Sequence, residues 1–191
     1  MTKTLYRTVC WMPTWNKDRQ KVGLEHLLLT DQTADGVILG FDEEHGAFRL
    51  TYQLQWDPSW QLRDARLFLT TAQGARSVHL QTDGEGHWRR DGQIVDALEG
   101  CRDIDIWPTP FTNSFPIRRT PLQIGERREF LMAWILGLDL SVHAQPQAYT
   151  RVAERLYLFE NLDGSHFKAE LPVDDDGIVI DYPELFLRVP A

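Results

Sequence analysis

Cysteine is scarce. The chain has two, Cys10 and Cys101, in 191 residues, which excludes a disulfide framework and leaves a pair of reduced, buried thiols as the simplest expectation. Long apolar runs are also missing. The longest, Phe130 to Leu138, covers nine residues, whereas a membrane-spanning helix needs about 20. The N-terminal stretch MTKTLYRTVCWMPTW lacks the apolar core of a signal peptide. With reduced thiols and no such leader, the chain is expected to be soluble and cytoplasmic, without an integral membrane segment. Basic residues are outnumbered, 20 against 28 acidic, for a net charge of −8. That balance disfavours nucleic acid as a partner and disfavours docking on an anionic membrane. The signatures CxxC, HExxH, GxSxG, the P-loop and GxGxxG are all absent. The six histidines are scattered, none within four residues of another, so neither a metal site nor a cofactor is expected.

What is present is alternation. From Phe48 to Trp56 every second residue is apolar and those between are polar, the pattern of a half-buried strand. Similar segments are predicted at Arg63–Thr71, Ser77–Thr82, Arg102–Trp107, Phe130–Leu136, Leu140–Gln145, Leu156–Glu160, His166–Val173 and Ile178–Tyr182. Five Asp-Gly pairs, at 35–36, 83–84, 91–92, 163–164 and 176–177, are read as tight turns between antiparallel strands. The acidic run Asp174–Asp175–Asp176–Gly177 lacks the ligand spacing of a calcium loop and reads as one of these turns. Helical spacing occurs once, at Tyr149, Val152, Ala153 and Leu156, and the β-rich residues after it leave that segment ambiguous. No linker divides the chain and no 20–50-residue repeat is visible. Residues 1–191 are therefore expected to form one all-β domain, a barrel, roll or sandwich of many short strands.

The densest chemistry lies in the 21 residues Gly100–Thr120, GCRDIDIWPTPFTNSFPIRRT. Asp103 and Asp105, two apart on a predicted strand, share one face with Cα atoms about 7 Å apart. Paired carboxylates at such spacing occur in inverting glycosidases, but with Ile104 and Ile106 on the other face the aspartates read more simply as solvent-facing. If Phe115–Thr120 returns as a hairpin partner, Asp103 meets Arg119, or Asp105 meets Arg118. Neighbouring strand residues point opposite ways, so one arginine braces an aspartate and the other reaches solvent or a ligand. Trp107, Thr112 and Asn113 sit on a proline-stiffened connection suited to stacking on and hydrogen-bonding a sugar or polar headgroup. Trp56–Trp60 makes a second aromatic turn, in which Trp60 is the candidate contact.

The run LEGCRDIDIWPTPFTNSFPIRR resembles the signature of a bacterial glycolipid-binding family of small proteins. Further segments resemble that family in the same order: Gly23–His26, Tyr52–Trp60, Gln147–Thr150, Phe167–Asp174 and Gly177–Pro183. The chain departs from the family pattern at Ala148, where arginine is expected, and at Arg151–Leu156, which lacks the usual glycine- or proline-rich turn. The resemblance implies a single-domain spiral β-roll, an incomplete antiparallel barrel that holds a glycolipid or other amphiphile, and it brings no catalytic residues.

The expected ligand-binding set is Trp60, Asp103, Asp105, Trp107, Thr112, Asn113, Arg118, Arg119 and Tyr149. No nucleophile–base pair can be named, so binding is favoured over catalysis. Two alternatives are a hydrolase of a glycoside or acyl ester working through the paired aspartates, and a structural protein in which Gly100–Thr120 only locks the topology.

Overall fold

Phe48, Leu50, Tyr52, Leu54 and Trp56 are all buried, and the strand that carries them lies at the centre of the larger of two sheets. A computed structural model of the chain describes residues 7–14, 23–43 and 46–190. The leader-peptide reading rests in part on residues 1–6, which lie outside the described residues. The first sheet begins with an antiparallel succession: β1 (Arg7–Pro13), β2 (Gly23–Leu29), β3 (Thr33–Asp42), β4 (Gly46–Trp56), β5 (Leu62–Thr71), β6 (Gly74–Thr82), β7 (Trp88–Arg90) and β8 (Gln93–Ile94). The second contains β9 (Asp103–Trp107), β10 (Arg127–Leu136), β11 (Ser141–Ala153), β12 (Leu156–Asn161) and β13 (Lys168–Pro172). The chain then returns to the first sheet. The hairpin of β14 (Asp181–Tyr182) and β15 (Phe186–Arg188) pairs with β1, making ten strands against five. The result is the all-β spiral roll expected from the sequence: a large antiparallel sheet and a curled half-barrel in one domain. Among the described residues no helix is long and apolar enough to cross a membrane.

Three expectations need correction. Phe115–Thr120 is not a strand. Phe111–Asn113 forms a 3-10 turn that runs into the short helix α1 (Ser114–Arg119). Pro116 lies in the first turn of α1, where its missing N–H leaves no helical bond unmade. β9 pairs instead with β10, and in parallel, with Asp103 opposite Met132 and Asp105 opposite Trp134. A parallel neighbour needs a long crossover, which residues 108–126 supply. Third, Asp35–Gly36 is not a turn. It lies within β3, paired with Gln53 and Tyr52. Gly36 is required there because the Tyr52 ring crosses it: a Cβ at position 36 would stand 2.1 Å from Tyr52 Cζ.

The other turn readings agree with the structure. Asp91 and Gly92, with φ of 50° and 84°, join β7 to β8, as positive-φ hairpin residues should. In the acidic run, Asp174 Oδ1 accepts from the backbone N–H groups of Asp176 and Ile178, and its Oδ2 is held by Arg7 and Arg188. The ambiguous Tyr149–Leu156 segment is strand, closing β11 and opening β12. Both cysteines are free thiols. Burial raises the Cys101 thiol to about 12.

Candidate functional site

β9 is buried on both sides. Ile104 and Ile106 stand opposite Ala133 and Ile135 of β10, and all four are in the apolar core. Asp103, Asp105 and Trp107 project to the other face, the concave inside of the half-barrel, which α1 and the residues before it cover. The aspartates therefore face protein and cavity, not open solvent. Sequence periodicity could not distinguish these cases, because a curled sheet encloses the face that a flat sheet would leave wet.

The two carboxylates are treated differently. Asp103 is 1% exposed and is gripped by Arg119 through Nε at 2.8 Å and Nη2 at 2.5 Å. This is the expected Asp–Arg contact, reached through a helix instead of a hairpin. Donating its hydrogen bonds to the Asp103 carboxylate raises the Arg119 pKa further above its already high value. Asp105 has no cation among the described residues. Its Oδ1 accepts from the Thr112 hydroxyl at 3.0 Å, and its Oδ2 accepts from Gln147 Nε2 at 2.6 Å. Burial pushes its carboxyl pKa up, and these two hydrogen bonds partly oppose the shift. The Thr112 hydroxyl also accepts from Ile106 N–H at 3.1 Å, tying the 3-10 turn to β9. Asn113 donates to the Pro110 carbonyl at 3.0 Å and accepts from the Tyr149 hydroxyl at 2.8 Å.

An open cavity of about 430 Å³ lies on this concave face. Asp105, Trp107 and Asn113 line it, together with Gln145 and Gln147 of β11, Trp134, and Phe159, Asn161, Tyr182 and Phe186 from neighbouring strands. The rings are in mutual contact: Trp107 to Phe186 at 5.8 Å, Phe186 to Tyr182 at 6.1 Å and Tyr182 to Phe159 at 6.1 Å. The lining also carries a chain of amides, with Gln145 Nε2 donating to Asn161 Oδ1 at 2.9 Å and Asn161 Nδ2 to Asp163 Oδ2 at 2.9 Å. Aromatic rings and fixed hydrogen-bonding groups together form a pocket able to seat a small polar ring or headgroup.

Of the predicted residues, Asp105, Trp107 and Asn113 line this cavity, while Thr112 and Tyr149 stand one hydrogen bond behind it. Asp103 and Arg119 are absent from its lining. Trp60 and Arg118 meet elsewhere, the guanidinium 5.1 Å from the centre of the Trp60 ring, with Trp60 stacked on Trp56 at 4.9 Å. Arg118 borders a separate surface cleft with Asp174 and Asp175.

Sequence reading missed the amides of β11. The signal was there: Gln145, Gln147 and Tyr149 alternate with Ala144, Pro146 and Ala148, which puts polar groups on one continuous strand face. It also missed Glu25, 2% exposed, whose Oε1 accepts from Tyr52 at 2.5 Å and from Thr109 at 2.6 Å. Burial raises the Glu25 carboxyl to about 7. Thr109 itself borders the cavity.

The fold and cavity define a class: a single-domain spiral β-roll whose half-barrel holds an open pocket of aromatic and amide side chains. The chain belongs to the family described as "Putative glycolipid-binding", whose profile matches residues 12–188. It is similar to the crystal structure of a DUF1089 family protein from Pseudomonas aeruginosa, at 46% identity and a TM-score of 0.87, over 90% of this chain and 94% of that one. No curated protein matches the chain.

Proposed function

We propose that this protein binds the sugar headgroup of a glycolipid in the half-barrel cavity and holds it without altering it. One observation carries the reading. The rings of Trp107, Tyr182 and Phe186 and the polar groups of Asp105, Asn113, Gln145 and Gln147 line one open cavity of about 430 Å³. Sugars present an apolar C–H face and a hydroxylated edge, and this pocket offers a partner to each. Phe167, partly exposed at the rim and 6.1 Å from Phe159, extends apolar surface outward for the start of an acyl chain. Asp103, held by Arg119, lies outside the cavity lining, so the Asp103–Asp105 pair does not face a common ligand.

Native mass spectrometry of the protein purified from cells, followed by titration with octyl glucoside below its micelle concentration, tests this reading. A co-purifying glycolipid and saturable binding are expected, and Trp107→Ala should weaken the binding by about tenfold through loss of ring stacking. Undiminished binding by Trp107→Ala, with the fold intact by circular dichroism, would refute it. So would the absence of any sugar binding by the wild-type protein.

A further inference from the structure

Among the described residues two enclosed carboxylates lack a cation, Asp105 and Glu25, and of these only Asp105 lines the cavity. Asp103 has Arg119, Asp174 has Arg7 and Arg188, Asp57 has Arg63, and Glu160 has Arg127 and Lys168. Asp105 receives only a hydroxyl and an amide, and the cavity reaches it. Beside it, Gln147 is 1% exposed, lines the same cavity, and keeps a buried Oε1 with no hydrogen-bond partner. The cavity lining contains a second carboxylate, Asp163, one histidine, His143, and no lysine or arginine among the described residues. Trp134 stands opposite Asp105 in the β9–β10 register, and Trp107 lies two residues along on the same face, about 7 Å away.

Resting on the sugar-binding reading, we infer that the group seated on Asp105 is an ammonium, and that the preferred headgroup is an amine-bearing sugar. A carboxylate drawn out of water without a cation is costly, and an arriving cation recovers that cost. An ammonium donates three hydrogen bonds and brings the positive charge that the Asp105 carboxylate lacks. The tryptophan faces add cation–π attraction. A neutral hydroxyl makes only the hydrogen bonds, and an anionic headgroup meets two carboxylates with no compensating lysine or arginine. The attraction between unlike charges, which an acetamide or hydroxyl on Asp105 lacks, is worth roughly tenfold in affinity.

Titration of the wild-type protein at neutral pH with glucosamine, N-acetylglucosamine and glucose 6-phosphate, followed by chemical-shift changes, tests the inference. Glucosamine should bind about tenfold more tightly than its acetylated, uncharged counterpart, and glucose 6-phosphate should bind most weakly. In Asp105→Asn, glucosamine should fall to the affinity of N-acetylglucosamine. Equal binding of the amine and the acetamide by wild-type protein, or preference for the phosphate, overturns the inference while leaving sugar binding intact. Binding of none of the three overturns both. The wild-type order decides the matter even if the Asp105 variant fails to fold.

Discussion

Glu25→Gln separates the energetic cost of a buried proton from every other titration in the protein. Glu25, on β2, is enclosed by Tyr52 of β4 and the 107–111 connection, with Tyr52 and Thr109 donating to one oxygen and none of the described residues donating to the other. Its carboxyl moves from 4.5 to about 7 on folding because burial disfavours the charged form. Between those values the folded chain keeps a proton that the unfolded chain has released, so stability falls as pH rises. The contribution is fully present below about 4.5, is lost progressively up to about 7, and is level above that. Applied to this gap, the linkage relation gives a loss of about 2.5 kcal/mol between about pH 5 and about pH 8. Glutamine keeps an acceptor for Tyr52 and Thr109 and cannot ionise. Urea unfolding followed by tryptophan fluorescence should therefore show the variant gaining about 2.5 kcal/mol on wild type across that interval. Comparing the two proteins at each pH cancels the other titrating groups, such as the exposed His87–Asp83 pair, whose histidine is pushed up. A constant difference between variant and wild type would refute the burial argument.

Adjacent arginines should behave very differently. Arg119→Ala leaves the Asp103 carboxylate buried and unpaired and should cost about 3–5 kcal/mol, whereas Arg118→Ala removes an exposed contact with Trp60 and should cost under about 1 kcal/mol; similar costs in urea unfolding would contradict the assignment. Gly36→Ala places a Cβ against the Tyr52 ring and should destabilise by about 1–3 kcal/mol, and the penalty should shrink in a Tyr52→Leu background. An undiminished penalty there would show that the ring is not the obstacle.

Much of the fold could be read from local pattern. Strand alternation between Phe48 and Trp56 survives into the structure because one face of that sheet packs on the core, and a period of two records this. The Asp-Gly turns were legible for the same kind of reason, since their chemistry is local. Asp35–Gly36 misled because glycine was needed for room and not for turning: the ring that needs the space belongs to Tyr52, on the next strand. The strand expected at Phe115–Thr120 is a helix because Pro116 fits a first helical turn, and α1 then covers Asp103 through Arg119.

The sequence by itself determined the all-β class, the family and the meeting of an aspartate with an arginine within Gly100–Thr120. Those follow from periodicity, from a specific run of residues and from charge. The tertiary structure alone decided which carboxylate was neutralised. Asp103 and Asp105 are identical in type and share a strand face, yet the end of α1 brings Arg119 to the first, while the curl of β9–β12 leaves the second at the floor of an open cavity. Glu25 and Gln147 likewise become notable only when residues far away in the chain, Thr109 and Asp105, are brought against them. A side chain's ionisation and hydrogen bonding depend on the dielectric and donors around it, and those are assembled by long-range packing that no local pattern encodes.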